Sequence, residues 1–347
     1  MTDILIRQEG HAGRITLNRP KALNALTWDM CLAIEKALDD WRGNDEIALI
    51  MIEGAGDRAF CSGGDITEMY ETGTCGDFEY GRHFWRDEYR LNRKIFLYPK
   101  PIVTFLHGFT MGGGVGVGCH ASHRIVCDNS QIAMPECSIG LVPDVGGSLM
   151  LALAPGHVGE FLGVTGDRMD AGDAIFAGFA DSFVPQDRWD ALKAMLTETG
   201  AVEVIAPHVV SPPDSRLEEW QPEIDSTFSG ERLGDIYRAM PADPGPAVTH
   251  ARKLMDRNSP FAMACATEII HRVRNGMRIE NALDQEYRYT FRCMAQGDFI
   301  EGIRAAIIDR DKQPKWQHAS WADVTALQVT QMLMPLGKDA LKWEENT

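Results

Sequence analysis

Between Phe105 and Ser148 the chain reads FLHGFTMGGGVGVGCHASHRIVCDNSQIAMPECSIGLVPDVGGS, and this stretch constrains the fold more than any other. An apolar strand at 102–106 runs toward three successive glycines, Gly112, Gly113 and Gly114. A second strand, Arg124 to Cys127, precedes a Met-Pro-Glu at Met134 to Glu136, and a Pro-Asp at Pro143 and Asp144 is followed by Gly146 and Gly147. Glycine serves where backbone must approach something closely or take φ > 0, and three in a row leave N–H groups bare to a ligand. A carboxylate after a proline and another before a glycine pair belong on loops, where side chains that do chemistry are usually held. The stretch therefore reads as an active site on strand-end loops.

The rest of the chain supplies an α/β frame for those loops. Residues 3–8 and 14–17 read as two short strands around a His11-Ala12-Gly13 turn. Thr27 is placed to cap a helix carrying Met30, Ile34, Ala37, Leu38 and Trp41 at helical spacing, with Gly43 past its end. The run 47–52, IALIMI, has the continuous apolarity of a strand buried on both faces and leads into the loop GDRAFCSGGDI. Gly81 to Leu97 predicts a helix stopped by Pro99 and Pro101. Strand, glycine loop, helix and strand recur, which favours an α/β core over 1–205 with ligand loops at the carboxyl ends of strands. Seven prolines between 207 and 246 predict a connecting segment, 206–246, with one or two short helices. Beyond it, 247–347 reads as helical: Ser259-Pro260 starts one helix to about Arg274, residues 279–295 form another, and Asp298-x-x-Glu301 predicts a capping box for a third.

Composition narrows the function. A formal charge of −16 and a pI near 5.0 argue against general binding to nucleic acid or anionic lipid, which needs a basic footprint. No apolar run approaches the roughly 18–20 residues of a membrane span. Eight cysteines without a Cys-x-x-Cys pair fit a reducing compartment, and the start MTDILIRQEG has neither signal nor transit character. The expectation is a cytoplasmic enzyme.

The loop Cys61 to Ile66 and the triple glycine each lie just past an apolar strand, so one N–H from each can converge on a single oxygen. Preorganised donors of that kind are often the largest catalytic term, with one worth ~2.7–4 kcal/mol. The competing reading is that these glycines only make tight turns. Glu136 and Asp144, eight residues apart, suit acid/base or nucleophilic work because burial and mutual repulsion separate their pKa values. Asp144 can equally cap a helix starting near Gly147. Gly116-x-Gly118-x-x-Ala121 loosely matches a dinucleotide fingerprint, but its strand ends about ten residues too early. His120-x-x-His123 lacks a third ligand at zinc spacing, so no metal is expected, and no Gly-x-Ser-x-Gly supports a serine hydrolase.

LNRPKALNAL (17–26), AFCSGGDI (59–66), MGGGVG (111–116), MPECSIGLVPDVGG (134–147) and EGIRAAIIDRDKQPKW (301–316) together resemble the crotonase superfamily over nearly the whole chain. More narrowly, they resemble its branch that hydrolyses the thioester of short 3-hydroxyacyl-CoA, 3-hydroxyisobutyryl-CoA of valine breakdown above all. The resemblance implies a spiral of ββα units with a helical C-terminal region, and a substrate that brings coenzyme A with it, so no separate cofactor. It places the oxyanion hole on the N–H groups of Gly64 and Gly113. Coenzyme A would lie along Arg19 to Leu26, with Lys21, Ala22, Leu23, Asp65 and Ile66 as substrate contacts. Glu136 would be nucleophile or general base, Asp144 its partner in handling water or the substrate hydroxyl, and Glu88 a hydrogen-bonding residue for substrate. A homo-oligomeric state stays open. An enoyl-CoA isomerase or hydratase, or an acyl-CoA binder without catalysis, are the rivals.

Crotonase-type hydratases carry one of their two acids two residues after the triple glycine, where this chain has Gly116. The purified protein should therefore add water to crotonyl-CoA only slowly. Loss of enoyl absorbance at a rate comparable to thiol release from a 3-hydroxyacyl-CoA would contradict this.

Overall fold

The computed structural model describes residues 2–343. Met1 and residues 344–347, the ends of the blocks expected from sequence, lie outside the described residues. Contacts group the chain into two units that interleave along the sequence instead of following contiguous blocks. The first comprises Met1–Gly64, Arg90–Ala133 and Arg168–Arg216, the second Asp65–Tyr89, Met134–Asp167 and Leu217–Thr347.

The first unit holds all nine strands of the described residues. β1 (Ile4–Glu9) and β2 (Ala12–Leu17) form an antiparallel hairpin, then come α1 (Trp28–Arg42), β3 (Leu49–Gly54) and β4 (Ala59–Cys61). The hairpin turns at Gly10 and His11, earlier than the expected His11-Ala12-Gly13, because Gly10 takes the left-handed φ of +52°. Helix α2 (Thr67–Thr74) belongs to the second unit, and α3 (Glu79–Phe96) runs from the second into the first. β5 (Ile102–Leu106), β6 (Phe109–Met111), α4 (Gly113–Gly118), β7 (His123–Val126) and β8 (Gln131–Ala133) follow.

Strands from β3 onward alternate between two parallel sheets. The larger has the order β1-β2-β3-β5-β7-β9, with β9 at Ser182–Phe183, and the smaller β4-β6-β8, so each turn of chain lays one strand in each sheet. That is the expected spiral of ββα units. The three-residue strands of the smaller sheet are too short to show a period, and β6 comes between β5 and the triple glycine. Apolar residues from the larger sheet, including Leu49, Met51, Val103, Phe105 and Ile125, pack with Trp189, Leu192 and Leu196 of the helix Trp189–Thr199 into one buried core.

The second unit is helical. After α5 (Gly147–Leu153) and α6 (Val158–Thr165) the chain returns to the first unit for α7 (Ala171–Phe176), β9 (Ser182–Phe183) and α8 (Trp189–Thr199). It then forms α9 (Arg216–Phe228), α10 (Leu233–Ala239), α11 (Pro246–Met255), α12 (Pro260–Arg274), α13 (Ile279–Gln296), α14 (Phe299–Ile303) and α15 (Ala326–Met332). The proline-rich segment is thus more ordered than a linker. Leu217, Ile224, Phe228, Leu233 and Ile236 are buried there, and Pro222 lies inside α9. Local signals hold elsewhere: Thr27 Oγ1 accepts from Met30 N at 3.2 Å, and Ser259 Oγ accepts from Ala262 N at 3.0 Å. Asp298 does not form the expected capping box. Its carboxylate instead accepts from Ser259 Oγ at 2.6 Å and Gln317 N at 2.9 Å.

Helix α4 packs closely on β4. A Cβ added at Gly114 would lie 2.3 Å from the Cys61 carbonyl oxygen, whereas one added at Gly43 would meet nothing within 4 Å. Gly114→Ala should cost ~1–3 kcal/mol, as overpacking does, and lower Tm by several degrees, with Gly43→Ala as the neutral control in the same thermal melt. Equal melting of the two variants would contradict this packing.

Candidate active site

In the first unit, the paired strands β4 and β6 deliver two glycine turns side by side. Gly63 takes φ +115° and Gly112 φ +50°, and a Cβ added at Gly63 would stand 3.9 Å from Gly113 N and 3.4 Å from the Met111 carbonyl oxygen. Gly113 opens α4, so its N–H is one of those a helix start leaves without an intrahelical acceptor. The segment 19–26 is tied to the same turn: Ser62 N donates to Leu23 O at 3.0 Å and Leu26 N to Gly63 O at 2.9 Å. Leu23 and Asn24 both take left-handed φ, +52° and +55°. The Asn24 amide holds that bend by donating to Ala55 O and Ala59 O at 2.9 and 2.8 Å while accepting from Arg19 N. Lys21 and Ala22 are exposed and Leu23 half-buried. Asn92, with both amide atoms, and Thr110 Oγ1 are buried without a hydrogen-bond partner.

The second unit assembles the acids. Glu88 comes from α3, Glu136 opens the single 3-10 turn Glu136–Ile139, Asp144 lies on the loop before α5, and Glu286 comes from α13. All four are buried, with Glu286 wholly enclosed. Glu88 Oε1 and Glu136 Oε2 have no hydrogen-bond partner. Asp144 Oδ2 accepts from the Tyr89 hydroxyl at 2.8 Å. Glu286 accepts from Gly146 N at 2.8 Å, Ser148 N at 3.0 Å and the Ser148 hydroxyl. The loop that carries Glu136 is pinned from the C-terminal helices, with Ser259 N donating to Cys137 O at 2.9 Å and Tyr289 Oη to Gly140 O at 2.9 Å.

Electrostatics separate these acids from the other buried carboxylates. Burial raises Glu53 and Glu160 too, but the cations around them more than reverse it. Arg14 and Lys193 bring Glu53 down to about 2, and His271 and Arg274 bring Glu160 down to about 2. No cation pairs with Glu88, Glu136, Asp144 or Glu286 among the described residues. Burial first, then the neighbouring charges of Asp144, Glu286 and Glu88, pushes Glu136 well above the ordinary carboxylate range. Burial and the Asp144 charge do the same to Glu88. Asp144 is raised by burial to about 7, held back by the Tyr89 hydrogen bond. Glu286 is raised by burial to about 8 against the donors from Ser148 and Gly146. Such a set holds protons near neutrality and can both take and give them.

Glu88, Glu136 and Asp144 thus fall in one cluster, and Gly64 and Gly113 in neighbouring turns of the other unit. Asp65 accepts from Thr67 N at 3.4 Å and Ile66 precedes α2. Asp144 does not cap α5 with its side chain, as one reading of the sequence allowed: Glu286 takes the Gly146 and Ser148 N–H groups and the Asp144 backbone carbonyl takes that of Gly147. Gly116 and Gly118 lie inside α4, not at a strand-to-helix turn, which removes the dinucleotide reading. No group of three metal-ligating side chains occurs among the described residues. Tyr89, Ser148 and Glu286 are the residues sequence reading missed. Tyr89 lies within the helix expected over 81–97 with nothing local to mark an acid partner, and Glu286, 138 residues from Ser148, carries no local signal.

Paired glycine turns in a spiral of ββα units, with buried acids on the following loops, define a crotonase-type protein. The model of the enoyl-CoA hydratase/isomerase family matches residues 12–333, and the chain belongs to that family. Within it, the chain is 36% identical to the mitochondrial 3-hydroxyisobutyryl-CoA hydrolases of Gallus gallus and Homo sapiens, each match covering 98% of this chain and 91% of the relative. By structure it is similar to an enoyl-CoA hydratase from Rhodobacter sphaeroides 2.4.1, with a TM-score of 0.94 and 50% identity over 99% of this chain and 100% of that one. It is also similar to a carnitinyl-CoA dehydratase from Mycobacterium thermoresistibile, with a TM-score of 0.95 and 38% identity over the full length of both. No helix among the described residues is long and apolar enough to cross a membrane.

A carboxyl whose pKa is raised by folding contributes stability below its ordinary value and loses it as pH rises through its folded value. For Asp144 that window runs from 3.8 to about 7. Asp144→Asn keeps an acceptor for Tyr89 and removes the buried charge, so its Tm relative to wild type should be at least about 2 °C more favourable at pH 8.5 than at pH 4. A difference that is flat or reversed across that range in calorimetry would contradict the assignment.

Proposed function

We propose that the protein hydrolyses the thioester of a short 3-hydroxyacyl-CoA, 3-hydroxyisobutyryl-CoA in the first place, giving the free hydroxy acid and coenzyme A. One observation carries this: a group of buried acids with no cation paired to it among the described residues, in which Glu136 Oε2 and Glu88 Oε1 have no hydrogen-bond partner. Unpaired buried carboxyl oxygens cost roughly 1–3 kcal/mol each, a cost that a bound ligand with a hydroxyl and a reacting carbonyl would offset. The full-length similarity to 3-hydroxyisobutyryl-CoA hydrolases supports the same substrate.

In this scheme the Gly64 and Gly113 N–H groups receive the thioester oxygen as it becomes an oxyanion. Glu136 acts in the state in which the proton shared among the coupled acids rests on Asp144, as base toward water or as nucleophile toward the carbonyl carbon. Oxygen adds to that carbon, the C–S bond breaks and the departing sulfur takes the proton from Asp144, held by Tyr89; on the nucleophilic route water then opens the Glu136 acyl anhydride, and on either route the proton lost by water returns to the acid group. Glu88 reads the substrate hydroxyl. The coenzyme A portion runs along Lys21, Ala22 and Leu23, with Asp65 and Ile66 as further contacts, and no separate cofactor takes part. All eight cysteines are free thiols, which supports a reducing location such as the cytoplasm.

Hydration is the competing reaction, favoured by the 50% identical enoyl-CoA hydratase. It requires a second acid where this chain has Gly116, and Asp144 at the later loop suits hydrolysis.

A site built to hydrogen-bond a hydroxyl rejects the deoxy analogue by as much as ~10⁴–10⁵, whereas one methyl is worth only about 1–3 kcal/mol. The kcat/KM for isobutyryl-CoA should therefore fall far below that for 3-hydroxyisobutyryl-CoA, with 3-hydroxypropionyl-CoA still a usable substrate. Glu88→Gln should narrow the first gap, and Glu136→Gln should lower kcat at least ~10²-fold on the hydroxylated substrates. Thiol release from the three thioesters checks all of this, and equal rates for isobutyryl-CoA and the hydroxylated pair would remove Glu88 from substrate recognition.

A further inference from the structure

We infer that Glu286 is a positioning residue for Asp144: by taking the donors at the start of α5, it keeps the Asp144 carboxyl free to meet Tyr89. The kinetic part of this inference rests on the hydrolase reading above, and the structural part on the geometry alone.

Asp144 is followed by two left-handed residues, Val145 at φ +55° and Gly146 at φ +80°. For a buried, β-branched valine that conformation costs on the order of 1–3 kcal/mol and persists only where the surroundings impose it. Directly after it α5 begins, and its own N-cap residue, Gly146, has no side chain to offer. Of the N–H groups at that helix start, Gly147 N donates to the Asp144 backbone carbonyl at 2.7 Å and Leu149 N to the Gly146 carbonyl at 3.1 Å, and the other two share one side chain. Gly146 N, Ser148 N and the Ser148 hydroxyl donate to the Glu286 carboxylate, brought in by α13.

Without Glu286 the nearest alternative acceptor is local. An aspartate two residues before a free N–H closes an Asx turn readily. Asp144 stands in that relation to Gly146 N. If its carboxyl turned onto that N–H it would close the Asx turn ahead of α5 and leave the 2.8 Å contact with the Tyr89 hydroxyl. Glu286 therefore removes a competitor for the one side chain whose orientation the reaction needs, and its burial without a cation is the cost of doing so.

The test uses the full-length enzyme with Glu286→Gln, which keeps one acceptor oxygen, and Glu286→Asp, which keeps the carboxyl group but withdraws it by one methylene. In crystal structures of either variant, the Asp144 carboxyl is expected on Gly146 N–H and away from Tyr89. For 3-hydroxyisobutyryl-CoA, kcat should fall about 10- to 100-fold, the scale of a misplaced reacting group, while KM stays within about threefold. Tyr89→Phe should lower kcat in the wild-type background and add nothing in the Glu286→Gln background, because the two changes break one chain of contacts. Asp144 still bonded to Tyr89 in both variants, wild-type kcat, or losses that simply multiply would each overturn the inference. If the wild-type enzyme released no thiol, the hydrolase reading would fall and the crystal structures would still decide the role of Glu286.

Discussion

Four carboxyl groups buried together without a cation set the terms for the second unit. Taking one ionised carboxylate out of water costs several kcal/mol even after relaxation, and Glu88, Glu136, Asp144 and Glu286 are all inside. Elsewhere the chain meets the same cost by pairing: Glu35 with Arg90 and Lys94, Glu53 with Arg14 and Lys193, Glu160 with Arg274. The acid cluster meets it by holding protons and by directing backbone and hydroxyl donors at two of its members. Acid/base chemistry near neutral pH needs groups in that state, so the energetic liability and the proposed reactivity have one physical origin.

The C-terminal helices are the means of holding those acids in place. The loop from Met134 to Gly147 is mostly irregular, with left-handed residues at Gly140, Val145 and Gly146, and little in its own sequence fixes its shape. Tyr289 and Glu286, three residues apart on α13, reach the carbonyl of Gly140 and the amides around Gly147. Ser259 at the start of α12 holds Cys137, and Asp298 bonds Ser259 in turn. Gly140 and Gly302 are glycines for a related reason, since a Cβ at either would strike the backbone of Asp298 or Ile139. A long helical region thus does the work of a scaffold for one loop.

What was legible in the sequence follows from the range of the interaction. Glycine runs, helix caps at Thr27 and Ser259, and the long strands of the larger sheet are local and could be read directly. The loops bearing Gly64, Gly113, Glu136 and Asp144 stood out because glycine and proline have few other uses in such positions, and Glu88 came from family resemblance alone. β4, β6 and β8 escaped because three residues cannot show an alternation. The segment 206–246 looked like a linker because its prolines outweighed the spacing of Leu217, Ile224 and Phe228. Asp298 matched a capping pattern, yet tertiary partners claimed its carboxylate. Glu286 was invisible for the same reason: its partners lie about 140 residues away, and a charged residue on a helix is ordinarily solvated.

The central claim is that these buried acids hold protons into the neutral range, ready for transfer to and from a thioester. An infrared titration of the wild-type protein, with Glu136→Gln and Asp144→Asn as difference partners, measures this at the carboxyl groups themselves. The account predicts a protonated-carboxyl band that persists above about pH 6 in wild type and loses intensity in each variant. Complete ionisation of wild type by pH 5, with difference spectra showing no protonated carboxyl above that pH, would contradict it.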